Sequence, residues 1–305
     1  MPLYVEPRPS TPSSGRQQIP MARRFRLLAL TVLALYACAL AVLFMNQRSL
    51  LYPASDRRTT ASEAGLVGFQ DLVLTTPDGE RLVAWWKPPQ PGKALILYFH
   101  GNGGSLWNRR FRAQALTASG RGLLMVSYRG YSGSTGAPTE TGLHSDARTA
   151  YDWVAQSYAA SRLVAYGESL GTGVAVKLAS GQSLAGLILD APYTSTADVA
   201  SLIYWYVPVR WLMLDQFRSL ETILAVKAPI LILHGTEDRI IPCAFGRQLF
   251  DAASEPKRFV RIEGGNHARN LEQGGMAAVE EFLAAIESRS PDRASTGAVT
   301  PARAP

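Results

Sequence analysis

Gly167-Glu168-Ser169-Leu170-Gly171 sets a serine between two glycines, directly after the apolar run Leu163 to Tyr166 and ahead of a helix-forming stretch through Gly173 to Ala179. A serine on so tight a strand-to-helix turn projects its hydroxyl beyond the strand end, and the flanking glycines let neighbouring backbone approach. A hydroxyl is a weak nucleophile until a base takes its proton, so the pattern predicts a histidine and an orienting acid later in the chain. Of the four histidines, His100, His144 and His234 precede any late strand-end acid, which leaves His267 in Gly264-Gly265-Asn266-His267, just beyond the run Phe259 to Ile262.

Three acids stand where a strand-end loop could carry them: Asp190, Glu237 and Asp238. Asp238 lies on the loop before the histidine strand and is the first candidate. Asp190, one strand earlier, is the alternative, and Glu237 is expected to be solvated. Acyl transfer also needs donors aimed at a developing oxyanion, each worth about 3 to 4 kcal/mol of barrier. The run His100-Gly101-Asn102-Gly103-Gly104 after an apolar strand fits that need, with the Asn102 and Leu170 backbone N–H groups as the expected donors. It lacks the glycine spacing and the Lys-Ser/Thr of phosphate-binding loops. Neither a metal site nor an organic cofactor is indicated.

These residues must be positioned by a scaffold. Asp78-Gly79 between the β-rich runs Gln70 to Thr75 and Leu82 to Trp86 predicts a hairpin. Short apolar runs follow at Ala94 to Phe99, Leu123 to Tyr128, Leu163 to Tyr166, Gly186 to Leu189, Ile230 to Leu233 and Phe259 to Ile262. Helical stretches at Gly142 to Ser157, Gly173 to Ala179, Arg247 to Ala253 and Leu271 to Ile286 alternate with them. Apolar strands separated by helices predict a mostly parallel sheet covered on both faces, with reactive residues just past the strand ends.

Tyr98-Phe99-His100-Gly101-Asn102, Tyr128-Arg129-Gly130-Tyr131-Ser132-Gly133-Ser134, the Ser169 pentapeptide and His234-Gly235-Thr236-Glu237-Asp238-Arg239-Ile240-Ile241-Pro242 occur in this order. In this combination the chain resembles the membrane-anchored α/β-hydrolase-domain proteins, from Gln47-Arg48-Ser49-Leu50-Leu51-Tyr52-Pro53 to about His267. Relatives in that family include thioesterases that remove palmitate and lipases of monoacylglycerol or lysophospholipid. The resemblance implies an α/β-hydrolase fold, with Ser169, Asp238 and His267 as a triad and Asn102 and Leu170 at the oxyanion. Ser127 departs from it, standing where many relatives have aspartate. Arg129 is expected to be a structural donor rather than a substrate ligand.

The net charge of +7 is carried mainly by residues 1–60, where eight arginines face two acidic residues. This basic charge flanks an apolar segment, so it reads as a topology and headgroup signal and not as a nucleic-acid face. Leu27 to Met45 is nineteen residues without a charge, and a helix of that length spans roughly 28 Å, enough to cross a bilayer core. Arg16, Arg23, Arg24 and Arg26 precede it and Arg48, Arg57 and Arg58 follow, a bias that favours a single-pass protein with its catalytic domain exported. Ala37-Cys38-Ala39 and Ala39-Leu40-Ala41 offer cleavage sites for the competing reading of a secretory signal. Only two cysteines occur, Cys38 and Cys243, so neither a disulfide framework nor a cysteine-based metal site is indicated.

The expected organisation is a disordered basic segment at 1–26, a transmembrane anchor at 27–45, an α/β domain at 46–288 and a disordered tail at 289–305. An aromatic excursion at about 194–226, holding Trp205, Tyr206, Trp211 and Phe217, is expected to cap the site and suits an acyl chain, although aromatic residues also serve ordinary core packing. The predicted activity is hydrolysis of an acyl ester or thioester through a Ser-His-Asp triad and an acyl-enzyme. A serine peptidase and an inactive membrane-anchored scaffold are the rivals.

Overall fold

The computed structural model describes residues 20–289, and the chain divides into two units, the first ending at Met45 and the second beginning at Asn46. The first unit is most of helix α1 (Met21–Leu51), in which no side chain is buried. The helix runs six residues beyond the apolar segment at each end because Met, Ala, Arg, Gln and Leu there all favour helix. Residues 21–26, expected to be disordered, are therefore helical. The rest of that expectation, and nearly all of the expected C-terminal tail, lies outside the described residues.

The second unit is built on one eight-stranded sheet of order β1-β2-β4-β3-β5-β6-β7-β8. Strands β1 (Gln70–Thr75) and β2 (Arg81–Lys87) form the predicted hairpin, and β2 runs antiparallel to β4 (Gly122–Val126). From β4 across β3 (Leu95–Phe99), β5 (Leu163–Glu168), β6 (Gly186–Asp190), β7 (Ile230–Gly235) and β8 (Lys257–Ile262) every pairing is parallel. Alternate residues of β3 serve opposite faces, with Leu95, Leu97 and Phe99 in one core and Ile96 and Tyr98 in the other. That double burial is why the strands read as unbroken apolar runs.

Helices α3 (Glu140–Ala155), α4 (Leu170–Gly181) and α8 (Cys243–Ala252) cover one face, while α2 (Arg110–Thr117) and α9 (Met276–Arg289) cover the other. The excursion between β6 and β7 folds into three short helices, α5 (Thr196–Ile203), α6 (Val209–Leu212) and α7 (Ser219–Thr222). The final helix starts later than its periodicity predicts. Gln273 and Gly274 leave helical geometry, Gly274 at φ 120°, so Leu271–Gly275 is a separate wide turn before α9.

Backbone packs closely against backbone where β5 turns into α4. A side chain at Gly167 would sit 2.5 Å from the Gly171 carbonyl oxygen, and one at Gly171 would collide with the Phe99 carbonyl. Gly181, at the other end of α4, has open space around it. Gly171→Ala is expected to destabilise the chain by about 1–3 kcal/mol or more through backbone overlap. Gly181→Ala should be neutral or stabilising by up to about 1 kcal/mol. Urea unfolding of the two variants checks the contrast, and equal midpoints would contradict it.

Candidate active site

Ser169 sits between β5 and α4 at φ 50° and ψ −117°. A non-glycine residue there costs on the order of 1–3 kcal/mol, and the surroundings hold it in place. Its N–H donates to the Asp190 carbonyl at 2.8 Å, tying the turn to the end of β6. The positive φ lifts the hydroxyl clear of the sheet, where His267 meets it: Ser169 Oγ lies 2.8 Å from His267 Nε2.

His267 comes from the loop after β8, and its Nδ1 lies 2.7 Å from Asp238 Oδ2. This arrangement suits an Nδ1–H that donates to the carboxylate and an Nε2 that accepts from the serine hydroxyl. Asp238, on the loop after β7, is fully buried at its side chain. Its Oδ1 accepts from the Ile240 and Ile241 N–H groups, each at 2.9 Å. Burial works to raise this carboxyl, but bonds from His234, His267 and the Ile241 N–H hold it well below the usual carboxylate range. It is therefore charged at neutral pH.

The alternative acid does not touch the histidine side chain. Asp190 is buried and accepts from Arg112 Nη1 at 2.6 Å, Tyr166 Oη at 2.9 Å and Asn270 Nδ2 at 2.8 Å. Arg112 also donates from Nη2 to the Ala268 carbonyl at 2.9 Å. Asp190 thus braces the loop that carries His267 from both sides. Glu237 is exposed and contributes only its N–H, which donates to the Gly265 carbonyl at 2.9 Å.

The loop after β3 passes over the serine so closely that a side chain at Gly101 would lie 3.4 Å from Ser169 Cβ. Three contacts fix the backbone of this loop. Tyr131 Oη donates to the Asn102 carbonyl at 2.8 Å, Asn102 Nδ2 donates to the Leu51 carbonyl at 3.2 Å, and Arg109 Nη1 donates to the Gly103 carbonyl. Leu170, the other expected donor, is the first residue of α4, where backbone N–H groups have no partner within the helix.

Behind the serine, Glu168 accepts from Tyr98 Oη at 2.6 Å and from Arg109 Nε at 3.2 Å. Burial works to raise the Glu168 carboxyl, but Arg112 and Arg109 override it and hold it well below the usual range. His100, buried and beside Arg109, is pushed down to about 3. It is neutral, with Nδ1–H directed at the Gly101 carbonyl 2.7 Å away.

Arg109, Arg112 and Asn270 carry no motif, so sequence reasoning missed them, and Tyr98 stood in a motif without a role assigned to it. The available signal was two arginines three residues apart on an otherwise ordinary segment, opposite two strand-end acids, Glu168 and Asp190. Arg129 is structural, as expected, donating to Asp146 and Asp78 at 2.8 and 2.7 Å. Ser127 is accommodated by donating to the Tyr131 carbonyl at 3.0 Å. Cys243 is half-buried and its thiol is pushed up by burial. Among the described residues, no group of three or more His, Cys, Asp or Glu side chains is placed to hold a metal ion.

Residues 94–220 match the family model described as the alpha/beta hydrolase fold. An uncharacterized protein of Mycobacterium tuberculosis (strain ATCC 25618 / H37Rv) is 38% identical over 250 residues, covering 79% of this chain and 89% of that one. The lysophosphatidylserine lipase ABHD12 of Danio rerio is 34% identical over 194 residues, 57% of this chain and 51% of the lipase. The match therefore spans about half of that lipase. Among solved structures, an alpha-beta hydrolase from Vibrio vulnificus superposes with a TM-score of 0.66 at 23% identity, covering 78% of this chain and 92% of that one. An esterase of Pyrococcus furiosus gives 0.64 at 18% identity, covering 77% and 98%. The chain belongs to the α/β-hydrolase family and is a hydrolase of that fold.

The two acids are expected to separate by what their loss does. Asp190→Asn strips the buried Arg112 of its counter-ion and should cost about 3–5 kcal/mol of stability. Asp238→Asn keeps an acceptor for the Ile240 and Ile241 N–H groups and should unfold at a urea midpoint closer to wild type. The opposite order of midpoints would show that Asp190 is not the structural brace.

Proposed function

We propose that this chain is a serine hydrolase that cleaves acyl esters or thioesters through a covalent acyl-enzyme, with Ser169 as nucleophile, His267 as base and Asp238 as the orienting acid. One observation carries the reading: the hydrogen-bond chain from the Asp238 carboxylate through His267 to a serine hydroxyl held on a positive-φ turn. His267 Nε2 takes the hydroxyl proton as Oγ bonds to the substrate carbonyl carbon, and the charged Asp238 stabilises the imidazolium. The Asn102 and Leu170 N–H groups hold the resulting oxyanion. Collapse breaks the bond to the alkoxide or thiolate, which leaves with the proton from His267. Water, deprotonated by His267, then attacks the acyl-serine and releases the acid.

The relatives support a lipid substrate, since one is a lysophosphatidylserine lipase. So does the N-terminal helix, the single helix among the described residues that is long and apolar enough to cross a membrane. In this reading residues 27–45 are an uncleaved anchor, the arginine bias places the α/β domain outside the cytoplasm, and the excursion at about 194–226 caps the site. One experiment tests nucleophile and topology together. A membrane-impermeant fluorophosphonate probe should label the wild-type chain on intact cells and leave Ser169→Ala unlabelled. Labelling of Ser169→Ala equal to wild type would overturn the nucleophile. Wild-type labelling only after lysis would overturn the topology alone.

A further inference from the structure

Among the described residues of the second unit, thirteen large apolar side chains are exposed, and eight of them fall within residues 202–224. Scattered singly, such residues need no explanation, but here they are gathered on one excursion. Leu202, Ile203, Trp205, Tyr206, Trp211 and Leu214 are all exposed, Trp205 at 81% and Trp211 at 89%. Between Val199 and Leu214 the only charged residue is Arg210, which is paired with Asp198 at 2.7 Å.

The same excursion is fastened to the last turns of α1. Gln47 Oε1 accepts from the Leu214 N–H at 2.8 Å, and Gln47 Nε2 donates to the Leu212 carbonyl at 3.4 Å. Arg48 Nε donates to Asp215 at 2.9 Å. Gln47 and Arg48 belong to the second unit and stand two and three residues past Met45, where the apolar run ends. Leu51, four residues past Gln47, holds the Asn102 side chain. The exposed apolar excursion and the loop over Ser169 are thus both anchored within six residues of the end of the apolar run.

We propose that the Trp205–Leu214 face of this excursion is a second membrane contact, seated in the headgroup region of the bilayer that α1 crosses. The inference rests on the single-span reading above. It also narrows the substrate to an acyl lipid resident in that bilayer. Tryptophan and tyrosine favour this zone because their rings are apolar and their edges polar. Apolar side chains lying in the interface plane add to binding through the area they bury.

The test uses the full-length chain in phospholipid nanodiscs, with Cys38→Ser and Cys243→Ser removing the native thiols. An environment-sensitive fluorophore is attached at Trp205→Cys or Trp211→Cys, with Val67→Cys, on an exposed residue outside the excursion, as reference. Thermal unfolding confirms that each variant is folded independently of activity. Emission from 205 and 211 should shift to the blue relative to 67 and be quenched by lipids carrying a nitroxide near the glycerol, while aqueous iodide has little effect. Water-like emission at both positions in a chain that has entered the disc overturns this inference and leaves the span intact. Shielding from iodide without quenching by the lipid nitroxide means that a protein surface covers the patch, which also overturns it. A chain that fails to enter the disc removes the span reading and this one with it, while the assignment of Ser169 stands.

Discussion

One backbone position constrains the rest of this molecule: Ser169, held at positive φ where β5 turns into α4. The turn exists only because Gly167 and Gly171 allow backbone to touch backbone, the first against Gly171 and Thr172, the second against Phe99 and His100. Those contacts fix β3 and its outgoing loop against α4, so the same overlap that shapes the elbow also brings Asn102 beside it. The Ser169 N–H bond to Asp190 adds the end of β6. Three adjacent strand ends are locked to one residue, and the side chains of the site inherit their positions from that lock.

Two arginines, Arg112 buried and Arg109 partly so, extend the lock outward. Ion pairs of this kind contribute little net stability compared with well-packed apolar side chains, but they supply directional bonds that apolar residues cannot. Arg109 is neutralised by Glu168 and ends on the Gly103 carbonyl of the loop over the serine. Arg112 is neutralised by Asp190 and ends on the Ala268 carbonyl beside His267. Each planar guanidinium joins a strand-end acid to a loop backbone. The loop over Ser169 and the loop that carries His267 are thereby set against one frame.

What the sequence made legible follows from how local each signal is. The Ser169 pentapeptide, the order of Asp238 and His267, the hairpin at Asp78-Gly79 and the parallel strands all depend on neighbouring residues or a simple period. Asp190 stood as the alternative to Asp238 because both follow apolar strands. Two non-local contacts separate them: His267 meets Asp238, and the packing of α2 brings Arg112 against Asp190. The start of α9 was misplaced because amphipathic spacing continues through Gly274, whose positive φ breaks the helix. The fastening of Gln47 and Arg48 to residues 212–215 spans more than 160 positions and has no sequence signature. It gives the quoted Gln47-Arg48 stretch a structural task, and it takes Arg48 out of the pool of free charges beside the apolar run.

The account stands or falls on whether acyl groups pass through Ser169. Intact-protein mass spectrometry after rapid acid quench of the enzyme with an activated acyl ester, followed by peptide mapping, tests this directly. The account predicts a transient mass increase equal to the acyl group, located on the peptide containing Ser169 and absent from Ser169→Ala. Ester turnover by the wild-type chain with the adduct on another residue, or with turnover retained in Ser169→Ala, would contradict it.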